Sequence, residues 1–114
     1  GPDPVEIYTG GPQKTVRLRV GNGSDRPVTI DTFDTGPWLR VISATTAVIA
    51  PQTLGEVTLV LEAVEDAPDK TRHVIQARSR DAMPLGVLID RVEVQIRRRS
   101  LTVSVDPEPG AAGR

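Results

Sequence analysis

The chain has 114 residues, with 14 basic against 15 acidic side chains and a formal net charge of −1. That length suits one domain with a real core and not two. The interleaved charge offers no field of one sign for a nucleic acid or a membrane surface, and with no cysteine, disulfides, thiolate metal sites and thiol nucleophiles are excluded.

Val, Ile and Thr supply 33 residues, while Tyr8, Phe33 and Trp38 are the only aromatics. Branched side chains suit a pleated, half-buried strand and lose rotamer freedom in a helix. Ten Gly and ten Pro punctuate the chain, the balance of a many-stranded sandwich or barrel. No apolar run has transmembrane length. Gly1-Pro2 matches the scar of a cleaved expression tag, so the chain is expected to be a piece of a longer protein whose compartment stays open. Twelve of the 14 basic residues are Arg, with abundant Ala, Gly and Pro, a high-GC bacterial composition.

Period-2 alternation predicts the strands in order. Val5–Tyr8 is the first, stopped by Thr9-Gly10-Gly11-Pro12. Lys14 to Val20 is the second, with Val16, Leu18 and Val20 inward. The turn-rich Gly21-Asn22-Gly23-Ser24-Asp25 follows and reads as a hairpin into a third strand, Pro27 to Phe33. After the turn Asp34–Pro37 come short strands at Trp38–Ile42 and Thr46–Ala50, the latter stopped by Pro51. Gly55 to Ala63 is the clearest strand, with Val57, Leu59 and Leu61 on one face. The acidic loop Glu65–Lys70, a strand Arg72–Ser79, the loop Arg80–Gly86 and a long strand Val87–Arg97 complete the series. The apolar phase is even through Ile96 and odd at Leu101, Val103 and Val105, so a bulge or break falls within 97–100. Residues 106–114 have linker composition. The prediction is an all-β sandwich of seven to eight mainly antiparallel strands in two sheets packed face to face over residues 3–105, with a closed barrel as the runner-up.

Several stretches in order carry a family resemblance. They are Val16-Arg17-Leu18-Arg19-Val20, a polar turn with Asn22-Gly23, Val28-Thr29-Ile30, Trp38-Leu39-x-Val41, Ile49-x-Pro51, Gly55-Glu56-Val57-Thr58-Leu59 and Val92-Glu93-Val94-Gln95-Ile96. Residues 5 to 98 resemble the immunoglobulin-like domains of the BACON and abnormal-spindle/Hydin (major-sperm-protein-like) group, and are similar to fibronectin type III modules. The resemblance implies a seven-stranded sandwich used for binding, spacing or assembly beside other domains. It implies no catalytic residue. The Cys pair and central Trp of antibody domains are missing.

Candidate chemistry is sparse. A triad of the single histidine, His73, with Ser79 and Asp81 lacks the Gly-x-Ser-x-Gly elbow, and an ordinary strand residue is the simpler reading. Glu62, Glu65, Asp66 and Asp69 offer hard oxygens for calcium without EF-hand spacing. Asp31, Asp34 and Glu56 are conceivable paired carboxylates, more simply solvated strand ends. Gly10-Gly11 and Gly21-Asn22-Gly23 lead into no helix, so they are expected to supply positive φ in turns and not to cradle phosphate. Asn22-Gly23-Ser24 is formally a glycosylation sequon. Arg97, Arg98 and Arg99 form the strongest single-sign run, a possible contact for an acidic partner but better read as a solvated strand end. Trp38, with Phe33 beside the same turn, is either a partner or sugar contact or a plug closing one end of the sandwich, the preferred reading. No cofactor, metal or enzymatic activity is predicted. The expected function is a non-catalytic module making protein contacts or spacing adjacent domains, with carbohydrate or other ligand binding through Phe33 and Trp38 as the alternative.

Overall fold

Among the described residues, branched apolar side chains alternating with polar ones mark the long strands. The computed structural model describes residues 3–99. Ten strands are present among them: β1 (Val5–Tyr8), β2 (Lys14–Asn22), β3 (Val28–Ile30), β4 (Thr32–Asp34), β5 (Leu39–Thr45), β6 (Ala47–Ile49), β7 (Thr53–Ala63), β8 (Thr71–Arg78), β9 (Val87–Ile89) and β10 (Val92–Arg97). The fold is all-β. Its hydrogen-bonded sheets run β1-β10-β8-β4, β5-β7-β2-β9 and β3-β6. Every pairing is antiparallel except that of β1 with β10.

One core joins the sheets. Val16, Leu18 and Val20 of β2 and Val57, Leu59 and Leu61 of β7 meet Ile7, Ile75, Val94 and Ile96 of the other four-stranded sheet, all buried. Val28, Ile30 and Ile49 of the two-stranded sheet belong to the same cluster. The alternation read from the sequence is thus the alternation of burial along β2 and β7.

The strand and sheet counts differ from the expected seven to eight strands in two sheets, for a physical reason. Two expected long strands are each divided by an aspartate. Asp31 donates its N–H to the Arg78 carbonyl (3.1 Å) and accepts the Arg80 N–H on its carboxylate (2.8 Å). The chain thereby passes from β6 beside β3 to β8 beside β4. Asp90 donates its N–H to the Arg19 carbonyl (2.9 Å), and its carboxylate accepts the Arg19 Nε–H (3.0 Å). There the chain leaves β2, the neighbour of β9, and enters β10 between β1 and β8.

The expected Thr15–Ile30 hairpin is not formed. β2 pairs with β7 and β9, and β3 pairs with β6. Asn22 is the last residue of β2, 1% exposed. Its amide donates to the carbonyls of Arg26 (2.8 Å) and Ile49 (3.0 Å), while its Oδ1 accepts the N–H (3.0 Å) and hydroxyl (2.6 Å) of Ser24. Those bonds hold the 22–26 loop under β6 instead of folding it back on β2. Positive φ occurs at Gly10, Gly36 and Gly86 and not at Gly21 or Gly23. Gly23 is required for space, since a Cβ there would lie 2.9 Å from the Gly86 carbonyl oxygen.

Candidate interaction surface

The three arginines after Ile96 stitch the end of β10 to its neighbours. Arg97 lies 3.5 Å from the Glu6 carboxylate and 3.4 Å from that of Asp69. Arg98 donates its N–H to Asp69 (2.8 Å) and a guanidinium N–H to the Ala67 carbonyl (3.1 Å). Arg99 donates its N–H to Thr9 Oγ1 (3.1 Å) and a guanidinium N–H to the Gly10 carbonyl (3.0 Å). The Arg98 N–H, followed by the nearby guanidinium of Arg97, holds the Asp69 carboxyl below the usual carboxylate range. Asp69 is thereby committed to β10. Strand β10 ends at Arg97, and the segment 101–105 lies outside the described residues.

Trp38 and Phe33 are half-buried and pack against the core. Trp38 lines a cavity of about 180 Å³ with Thr35, Pro37, Thr71 and His73. The Thr35 hydroxyl donates to the Leu39 carbonyl (3.0 Å), and His73 Nε2 lies 3.6 Å from the Asp34 carboxylate. His73 sits on β8 six residues from Ser79, roughly 20 Å along an extended strand, and the Ser79 hydroxyl accepts the Asp81 N–H (3.2 Å). No triad is assembled from them.

The other candidates disperse. Glu56, opposite Arg19 in the β2–β7 register, lies 3.9 Å from Arg17 on the diagonal, while Asp31 and Asp34 belong to the β3–β4 segment. The carboxyls of Asp31 and Asp90 are held below their ordinary range, Asp31 first by the Arg80 N–H and Asp90 first by the Arg19 side chain. Buried and fully bonded, the Asn22 amide is closed to glycosylation in the folded domain. Among the described residues no group of three or more His, Asp or Glu is placed to hold a metal ion.

One surface had no counterpart among the expected sites. Register places Gly21 of β2 between Leu54 of β7 and Leu88 of β9. Leu54 is 87% exposed, Leu88 78% and Leu85, just before β9, 94%. The two strand leucines wall a groove of about 300 Å³ over Gly21 and Gly55, closed at one end by the Arg19–Asp90 pair. Most of the remaining outward positions of these strands are polar: Arg17, Arg19, Glu56, Thr58 and Glu62. The sequence carried half of the signal. The phase that buries Val57, Leu59 and Leu61 turns Leu54 outward, and a strand begun at Gly55 leaves it out. That Leu88 stands in the same row depends on register, which a single sequence does not disclose.

The fold and surface together define an all-β domain whose described residues present a mixed-charge exterior and the exposed aliphatic row Leu54–Gly21–Leu88. Comparison with protein-family models, with curated proteins and with solved structures gave no match.

Proposed function

We propose that this chain is a non-catalytic, immunoglobulin-like module of a larger bacterial protein, mediating protein–protein contacts or spacing neighbouring domains. The observation that carries the reading is the row Leu54–Gly21–Leu88 with the adjoining Leu85. Clustered exposed leucines are costly to leave in water and mark contact surfaces. The sheet orders support the immunoglobulin-like part. With β2, β4, β5, β7, β8 and β10 taken as strands B to G, the orders become D-E-B and C-F-G, as in constant-type domains. The departures are β1 beside G, the extra edge strand β9, and the separate pair β3-β6. Hydroxyl-radical footprinting tests the function. Leu54, Leu85 and Leu88 should be protected in the assembled parent protein and labelled in the isolated domain. Equal labelling in both would refute it.

A second reading, a carbohydrate- or other ligand-binding module, draws on the cavity that Trp38 lines with Thr35, Thr71 and His73. Saturable change of Trp38 fluorescence on titration with oligosaccharides would favour it. Emission insensitive to millimolar sugar would remove it.

A further inference from the structure

Each four-stranded sheet ends in two outer strands: β1 and β4 in one, β5 and β9 in the other. An outer strand presents unpaired N–H and C=O groups, and proteins commonly shield such edges with charges, Pro or bulges. Three of these four strands carry a charge: Glu6 in β1, Asp34 in β4 and Arg40 in β5. β5 also has a bulge between Val41 and Ser43. β9, Val87-Leu88-Ile89, has no charge, proline or bulge.

The groups it offers follow from its ladder with β2. Gly23 donates its N–H to the Gly86 carbonyl (2.9 Å), and Asp90 donates its N–H to the Arg19 carbonyl (2.9 Å). In an antiparallel pair such bonded positions alternate, so Leu88, opposite Gly21, turns its backbone groups toward β2. Val87 and Ile89 therefore direct their N–H and C=O groups to the outer edge, which no strand among the described residues pairs with. Their side chains, opposite Asn22 and Val20, are half-buried against the core, whereas Leu88 points out. The Arg19–Asp90 pair at the end of the ladder is satisfied within itself (3.0 Å).

We infer that β9 is a strand-addition site for an extended segment of a partner protein with three successive aliphatic residues. This rests on the protein-contact reading above and names its site and partner chemistry. The middle residue of the segment extends the outer row Leu54–Gly21–Leu88. Its two neighbours pack inward beside Val87 and Ile89, and its backbone pairs with the groups those residues leave free. The edge favours an aliphatic occupant, because an apolar middle residue covers part of the exposed Leu88 side chain and a charged one leaves it in water. A second copy fits less well. Two β9 edges joined across a two-fold axis bring together three residues from each, well short of the about 800 Å² per partner of a stable interface.

The test is an NMR titration of the 114-residue chain with the capped peptide KTVLVTK, followed by amide hydrogen exchange. Saturable shifts should centre on Val87–Ile89, with exchange at the Val87 and Ile89 amides slowed about tenfold or more, as for amides entering a ladder. Leu88→Lys supplies the missing charge at a site already exposed, so the fold should persist by circular dichroism while affinity falls at least about tenfold. The peptide KTVEVTK should bind as weakly. No binding at millimolar peptide, or affinity unchanged in Leu88→Lys, overturns the proposal. So does a dimer in sedimentation that Leu88→Lys abolishes, which makes a second copy the occupant. Exchange at Val87 and Ile89 that accelerates when residues 100–114 are removed would assign the edge to the chain's own tail, with the same consequence. Binding centred on β5 or another edge also overturns it yet leaves the protein-contact reading standing, because footprinting of the parent protein tests that separately.

Discussion

Asn22 uses all four hydrogen-bonding positions of its amide while almost wholly out of water. Burying such a group is tolerable only when every partner is present. Asn22→Ala leaves two carbonyls and the Ser24 donors without it, and should cost about 2–3 kcal/mol in urea unfolding. Asn22→Asp keeps the shape but removes both donors, and burial then raises the new carboxyl's pKa in the folded state. A raised folded pKa means stability present at low pH and lost as pH rises, so this variant's deficit against the parent should widen from pH 4 to pH 7. A deficit constant with pH would refute that. At Gly36, φ is +73° and a Cβ would come within 2.7 Å of His73 Nδ1. Gly36→Ala should cost about 1–3 kcal/mol. Adding His73→Ala should recover only part of it, because the ring is removed while the backbone strain remains.

At the scale of the element, aspartates decide where strands change sheets and where loops are held. Asp31 and Asp90 sit at the two switches, and Asp69 ties the 65–70 loop to the end of β10. Asp31→Ala should speed hydrogen exchange at the Arg80 amide, and Asp69→Ala at the Arg98 amide, with β2 and β7 unaffected. Uniform acceleration across all strands would show instead that these carboxylates act on global stability. The surface pairs Arg17–Glu56 and Arg40–Glu62, at 3.9 and 3.6 Å, add little beside this, as exposed pairs do.

For the whole molecule, Asp31, Asp69 and Asp90 set the direction of the pH dependence. Each has a folded-state pKa below its ordinary value. The unfolded chain therefore binds more protons through that window, and stability rises with pH across it. The urea midpoint should be level from pH 7 down to about the unfolded aspartate value near 4 and fall below it. Replacing the three aspartates with Asn should flatten the acid limb; an unchanged limb would place the effect elsewhere. Leu59, fully buried at the centre of β7, carries the core test. Leu59→Ala should cost about 2–5 kcal/mol and lower Tm by roughly 10 °C or more.

The sequence by itself determined the all-β class, the alternation of β2 and β7, and the core residues Val16, Leu18, Val20, Val57, Leu59 and Leu61, because side-chain period and turn composition are local properties of the chain. The expected alternation of faces along the arginine run does not apply to Arg98 and Arg99, because β10 ends at Arg97. Only the tertiary structure decided the rest. Asn22 passed from turn residue to buried knot because its partners are the carbonyls of Arg26 and of Ile49, a residue far along the chain. Two long strands became four because Asp31 is held by Arg78 and Arg80 beside β8, and Asp90 by Arg19 of β2, at the points where the chain changes sheets. The row Leu54–Gly21–Leu88 exists only once β7, β2 and β9 lie side by side in one register. Which strands pair, and in what register, is set by contacts between distant residues, and no local pattern encodes them.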